Sequence, residues 1–351
     1  MSTAHFLIPG DPDRRTGGTI YDRRIMAGLA AQGWPVVLHR LDATFPVPTD
    51  TALAEAGAVF DALPDQALTI IDGLALGAMP EVAAAHRNRL RLVGLVHHPL
   101  ALETGLNEAQ RQQLYASERE ALRQVRQVIV TSPSTARALI DDYDVPLEYC
   151  VVVLPGTDPV PLATGSNRAE LTLLCAASLT PRKGHAVLLR ALAQLQDRSW
   201  RLRCAGSAMH DPATAADLRA LAATLGLAER IEWLGELESA ALNTAYQQAD
   251  VFVLPSFHEG YGMALAEALA RGLPMVSTTA GAIPDTVPAA AGLLVPPGDE
   301  AALAEALARV IDEPDLRERL AAGARAARQT LPDWPTVSAR FAGVLETVLA
   351  T

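Results

Sequence analysis

Short apolar runs and helical patterns alternate almost from one end of this 351-residue chain to the other, and the alternation breaks once and restarts. HFLIPG, PVVLHRL, LTIIDGL, RLVGLVHHP and QVIVTS read as strands, with helical patterns such as Thr19 to Gln32 and Asn107 to Val125 between them. Strands that each hand over to a helix form βαβ units, which predicts a parallel sheet with helices on both faces. Near residue 150 the run CVVVLPGTDPVPLATGSN begins as a strand and dissolves into Pro, Gly, Thr and Ser, the composition of a domain boundary. LTLLCAAS, WRLRCAGS, IEWLG, VFVLPS and PMVSTT then repeat the pattern. The expectation is an α/β chain of two Rossmann-like, doubly wound domains, 1–158 and 159–331, facing across a cleft. A helix over 332–351, set off by Pro-Asp-Trp-Pro, is expected to cross back to the first domain.

Half of the residues are hydrophobic, enough for two cores, and the net charge of −11 argues against a general nucleic-acid binder or a strongly basic membrane-docking protein. The three cysteines, Cys150, Cys175 and Cys204, are odd in number and lack metal-ligand spacing, and two of them sit in apolar runs. That usage fits reduced thiols. The N-terminal apolar run is too short for a signal peptide, and nothing approaches a spanning helix, so a soluble cytoplasmic protein is expected.

In open α/β sheets ligands bind beyond the carboxyl ends of the strands, so chemistry is sought in the loops that follow them. After VFVLPS comes HEGYGMALAEALARG, with Glu259 beside a Gly260-Tyr261-Gly262 turn, a helix starting near Gly262 or Met263, and Glu267 about a turn into it. The free N–H groups of that helix start suit an anion or hydroxyl, and the two carboxylates suit the two sugar rings of a nucleotide sugar. A dipole-stabilising acid followed by a solvated helix residue is the plainer explanation. After LTLLCAAS, Arg182-Lys183-Gly184 stands at another helix entrance and makes a diphosphate clamp; Lys183 is the only lysine among 29 basic residues. Two basic residues in a solvated loop would look the same.

After the first strand, GDPDRRTGGTIYDRR places Gly17-Gly18 before a stretch, Thr19 to Asp22, that resembles a capping box, and Gly18 is placed to offer its N–H to a phosphate or an acceptor. Asp11-Pro12-Asp13, like Asp142-Tyr143-Asp144, has the spacing of a divalent-metal pair but reads better as turn chemistry, so no metal is expected. His97 and His98 end an apolar strand, and Glu103 follows in the same loop. Arg87, Arg89 and Arg91 form a cluster that either touches anionic lipid or, the favoured reading, carries solvated charges at a helix end.

From about Leu171 to Ala327 the chain resembles the family 4 retaining glycosyltransferases of the GT-B fold. The likeness rests on SLTPRKG, IEWLGEL, ADVFVLPSFHEGYGMALAEALARGLPMVSTTAGAIPDTV and GLLVPPGDEAALAEAL, with Glu259 and Glu267 as the E-x7-E pair. The first domain matches more loosely, through Gly17-Gly18 and HHP. The resemblance implies that Arg182 and Lys183 bind the donor diphosphate and Glu267 the ribose. It implies that Glu259, with the N–H groups of Gly260 to Met263, holds the transferred sugar. His97 would lie by the reacting centre and Gly18 on phosphate or acceptor. Ala177-Ser178 replaces the Gly-Arg of many relatives, which removes one phosphate-facing arginine and leaves the donor open between UDP- and GDP-sugars. The implied activity is metal-independent transfer of a hexosyl group with retention, to a small soluble acceptor or a lipid-linked or envelope glycan, without cofactor or nucleic acid; nothing specific indicates peripheral membrane contact. The competing expectations are a GT-B nucleotide-sugar epimerase and a silent sugar-nucleotide-binding subunit.

Overall fold

The structure is a computed structural model and describes residues 2–350. The chain divides into two compact units, one of residues 1–156 with 332–351 and one of 157–331. The first unit carries the strands β1 (Ala4–Pro9), β2 (Val36–Leu41), β3 (Leu68–Asp72), β4 (Arg91–Val96), β5 (Gln127–Val130) and β6 (Cys150–Val152). Its helices are α1 (Gly17–Ala31), α2 (Asp50–Ala62), α3 (Gly73–Leu76), α4 (Pro80–His86), α5 (Glu108–Leu122) and α6 (Pro133–Tyr143). The second unit carries β7 (Leu171–Ala176), β8 (Trp200–Ala205), β9 (Ile231–Gly235), β10 (Val251–Leu254), β11 (Met275–Thr278) and β12 (Gly292–Val295). Its helices are α7 (His185–Ala193), α8 (Pro212–Thr224), α9 (Ser239–Gln247), α10 (Met263–Ala270), α11 (Ile283–Thr286), α12 (Glu300–Asp312) and α13 (Pro314–Ala327); α14 (Trp334–Ala350) belongs to the first unit.

All strand pairs are parallel, in one six-stranded sheet per unit. The first sheet runs β2-β1-β3-β4-β5-β6, so its order reverses between β1 and β3 in the flavodoxin manner. The second runs β12-β11-β10-β7-β8-β9, the Rossmann order, with its reversal between β7 and β10. Every residue of β3, β5, β10 and β11 is buried, as strands covered on both faces must be. One face of the first sheet packs Leu7, Ile71 and Val96 against Phe60 and Leu122. On the other, Phe6 stacks on Phe341 of α14, and Tyr21 meets Trp334 edge-on. Trp200, Tyr246 and Phe252 anchor the core of the second unit. Among the described residues no helix is long and apolar enough to cross a membrane.

Three details differ from the sequence reading. GLLVPPG contains a strand, β12, that the run of strand patterns in the sequence does not include. The box that starts α1 is one turn earlier than expected: Thr16 is the cap and Thr19 its reciprocal partner, so Asp22 is free of that role. Of the arginine cluster, Arg87 is exposed, as the solvated-charge reading expects, and donates to Gln124 Oε1 at 3.0 Å, whereas the other two are tied to helix ends. Arg89 donates to Phe60 O at 2.7 Å and Leu63 O at 2.6 Å, at the end of α2, and Arg91 donates to Val348 O at 2.9 Å and to Leu349 O, closing α14. Guanidinium forks satisfy the last carbonyls of a helix and complement its dipole.

Candidate functional site

In the second unit, the loops after β7 and β10 flank the point where strand order reverses, the place where open sheets of this type bind ligands. The first loop makes a single 3-10 turn, Pro181–Lys183, and Gly184 then takes φ +72° as the cap of α7. A Cβ there would fall 2.0 Å from Pro255 O, so only glycine lets the two loops come this close. Phe257 N donates to Arg182 O at 2.8 Å, and Arg182 Nη1 returns a bond to His258 O at 2.9 Å, which fixes the loops side by side.

The contact brings charge together. Lys183 Nζ lies 2.6 Å from Glu259 Oε1, Ser256 Oγ donates to the same oxygen at 2.6 Å, and Arg182 Nη1 stands 3.9 Å from Glu259 Oε2. Burial alone would push the Glu259 carboxyl up. The charges of Lys183 and Arg182, with hydrogen bonds from Lys183 and Ser256, outweigh burial and hold it below the usual carboxylate range. Glu259 is therefore an anion near neutral pH and acts as an acceptor. Lys183 donates one of its protons to Glu259 and keeps two for a ligand oxygen.

Glycine also sets the entrance of α10. Gly262 caps it at φ +86° with no side-chain cap, so the first N–H groups of the helix at Met263 have no capping side chain. Tyr261 O, in the same turn, accepts from Thr286 Oγ1 at 2.6 Å, and Ala282 N donates to Glu259 O at 2.9 Å. Glu267 is half-buried within α10 beside the buried phenol of Tyr246. Behind the clamp, His185 is buried 3.5 Å from Cys175 Sγ; burial and then Lys183 push its pKa down to about 4, so it is neutral.

In the first unit, His97 follows β4 at its carboxyl end. Its Nε2 lies 3.0 Å from Asp22 Oδ1, on α1, and 3.6 Å from Asp72 Oδ2, at the end of β3. Gly18 packs on the ring: a Cβ there would stand 3.1 Å from His97 Cδ2. One oxygen from each aspartate and His97 Nε2 lie within 4.8 Å of one another. That separation is one a divalent cation accepts, and it equally suits hydrogen bonding of Nε2 to the carboxylates.

Several expected candidates stay outside both clusters. His98 pairs with Glu103 at 3.4 Å on its own loop. Asp11 accepts from Asp13 N at 3.1 Å within a turn, and Asp13 faces Arg23 at 3.4 Å. Asp144, at the left-handed cap of α6, binds Arg119 and Arg123. Asp72 and Ser256 are not among the residues the sequence points to, and it points to Asp22 only as a capping partner. Asp72 had a signal, since it ends a strand as His97 does.

Two family descriptions match the chain: Glycosyl transferases group 1 over residues 162–327 and Glycosyltransferase Family 4 over residues 68–160. With these matches and the doubly wound pair of sheets, the chain belongs to the family 4 glycosyltransferases of the GT-B fold. A D-inositol 3-phosphate glycosyltransferase of Corynebacterium kroppenstedtii is 30% identical over 261 residues, which is 69% of this chain and 56% of that one. An MMP alpha-(1->4)-mannosyltransferase of Mycolicibacterium hassiacum is 27% identical over 274 residues, 74% of this chain and 66% of that one. The chain thus spans between about half and two-thirds of the length of the curated relatives it matches. Among solved structures, a sucrose-phosphate synthase from Thermosynechococcus elongatus superposes with a TM-score of 0.84 at 23% identity, covering 99% of each chain. Anabaena HepE in complex with UDP-glucose gives 0.77 at 19%, covering 98% of this chain and 99% of that one. At these identities the likeness is one of fold.

Proposed function

We propose that the protein transfers a hexosyl group from a UDP- or GDP-sugar to an acceptor hydroxyl, with retention of configuration and without a metal ion. The observation that carries this reading is the Arg182–Lys183–Glu259 cluster at the strand-order reversal of the second unit, next to the uncapped entrance of α10. Cations and helix N–H groups there suit a diphosphate, and an anionic Glu259 suits sugar hydroxyls. The names of the relatives, an inositol-phosphate glycosyltransferase and a mannosyltransferase, support the activity, and the HepE complex supports a nucleotide-sugar donor.

In the proposed step the bond from the anomeric carbon to the diphosphate oxygen breaks. Its electron pair stays on the diphosphate, which Arg182, Lys183 and the N–H groups of Gly260 to Met263 stabilise electrostatically. The acceptor hydroxyl attacks on the face the diphosphate leaves, and its proton passes to the departing phosphate oxygen. A double displacement would need a carboxylate beneath the anomeric carbon. Glu259 is engaged by Lys183 and Ser256, and Glu267 is assigned to the ribose, so neither is given that task. Gly18 contacts phosphate or acceptor, and His97 contacts the transferred sugar.

Turnover of UDP-, GDP- and ADP-sugars with a mixed acceptor library, read by mass spectrometry, tests the activity. Anomeric NMR of the product, with a parallel assay in excess chelator, tests the mechanism. An inverted linkage would sink the same-face route, and activity lost to chelator and restored by magnesium or manganese would sink metal independence. Glu267→Ala is expected to raise the dissociation constant of the free nucleoside diphosphate roughly tenfold or more, the effect of one lost hydrogen bond to a charged group. Unchanged calorimetric affinity would remove Glu267 from the nucleotide site.

A further inference from the structure

The first unit buries two carboxylates against one imidazole edge, at its own strand-order reversal. Asp22 is 1% exposed and Asp72 4%, while the His97 side chain keeps 18% of its surface open. Both aspartates address Nε2; the other ring nitrogen, Nδ1, makes no hydrogen bond among the described residues. We propose that Asp22 and Asp72 are positioning residues for His97: they hold Nε2 as an inward hydrogen-bond donor and so present Nδ1 outward in a single tautomer. The proposal rests on the reading that His97 takes part in sugar transfer.

The local fold gives no other reason for both charges. Asp72 caps α3, its Oδ1 accepting from Leu74 N at 2.8 Å, but a cap needs one acceptor and asparagine serves as well. Asp22 lies within α1, past the box that Thr16 and Thr19 form. Two carboxylates buried together repel each other and lose hydration, and a cationic partner offsets both costs.

The ring has little freedom to turn. Gly18 lies against one face, Tyr21 meets it edge-on at 5.5 Å, and Thr131 Oγ1 ties down His97 O at 3.2 Å. The titratable and charged neighbours are few. From α1 come Asp22 and Tyr21, and from the end of β3 comes Asp72. On the same loop His98 is engaged with Glu103, and Arg340 of α14 acts on Tyr21. Burial pushes the His97 pKa down, but the charge and hydrogen bond of Asp22, and the charge of Asp72, more than offset it and leave it raised. Burial and then the Asp22 charge push Asp72 up to about 7, against the pull of His97 and the Leu74 N–H. Tautomer control matters because a neutral imidazole offers one donor and one acceptor, and a partner on one nitrogen decides which faces the substrate.

The test is imidazole NMR across pH on the full chain without donor, with His97→Gln to assign the signals, in wild type, Asp72→Asn and Asp22→Asn. Wild type is expected to carry the neutral-state proton on Nε2. Asp72→Asn should keep that tautomer and lower the ionisation midpoint of His97 by about one unit, the effect of losing one nearby opposite charge. Asp22→Asn should lower it further and, because an amide can donate to Nε2 as well as accept from it, leave a mixture of tautomers in place of one. In each variant the pH–rate profile should move by the same interval, with kcat reduced and the KM for the donor unchanged. Folded variants whose His97 midpoint and tautomer match wild type would overturn the proposal. Asp72→Asn, which keeps the cap, decides alone if Asp22→Asn does not fold. A shifted midpoint with unaltered turnover would instead overturn the use of His97 in transfer while the positioning stood.

Discussion

Lys183→Ala is expected to lower kcat/KM for any nucleotide sugar the protein turns over by about 30- to 150-fold, the cost of one charge-assisted hydrogen bond at roughly 2–3 kcal/mol. The same substitution should also destabilise the second unit. Glu259 is 6% exposed, and Lys183 is its nearest counter-charge, at 2.6 Å. Stranding a buried charge costs about 3 kcal/mol or more, reduced here because Arg182 remains at 3.9 Å and Ser256 still donates. Lys183→Arg keeps the charge. Its planar fork needs more room beside Arg182 than a compact ammonium does, so rescue should be partial. The two effects separate in Lys183→Ala with Glu259→Gln: the neutral pair should recover most of the lost Tm and none of the turnover. Wild-type kcat/KM in Lys183→Ala would remove Lys183 from the donor site. Lost turnover that returned with Tm in the double variant would make its role purely structural.

Lys183 was legible because the chain carries one lysine and places it at a helix entrance after a strand. Its contact with Glu259 was not, since the partners are 76 residues apart and meet only because β7 and β10 are neighbours in the folded sheet. The same holds for His97 and Asp22, 75 residues apart. Strand positions followed well from apolar runs bounded by turns. The exception was β12, whose four residues follow an alanine run and pair only with β11 at the edge of the sheet. Asp72 was hidden by a second signal: an aspartate before a short helix is already explained as a cap, and it is one. Position beyond a strand end marks a group as able to face a ligand, and only the fold decides which groups meet. The arginines 89 and 91 show the converse. In sequence they are clustered charge, but their donors are directed at carbonyls of α2 and α14, far off in the chain.

The loop that carries His97 is held by a buried acid, and the first unit is therefore expected to lose stability in alkali. Glu118 on α5 is 1% exposed, and its Oε2 accepts from Leu100 N at 2.8 Å, in the turn that follows HHP. Burial pushes its carboxyl up to about 8, and the Leu100 N–H and the Tyr143 hydroxyl counter this only in part. The folded value lies above the unfolded one, so between them the folded state binds more protons and stability falls as pH rises. The contribution is complete below the ordinary carboxylate value of 4.5 and is lost as pH climbs through about 8. Asp72 adds a loss of the same sign, ending near 7. From pH 5 to pH 8.5 the Glu118 share should amount to about 3 kcal/mol, from roughly 1.4 kcal/mol per unit of pKa displacement with allowance for relaxation around the charge. Glu118→Gln keeps an acceptor for Leu100 N and removes the ionisation. Its denaturation midpoint for the first unit should sit close to wild type at pH 5 and well above it at pH 8.5. Parallel pH–stability curves for variant and wild type would show that Glu118 does not titrate in this range, and a variant less stable at both pH values would make the carboxylate itself, charged or not, the better partner for the loop.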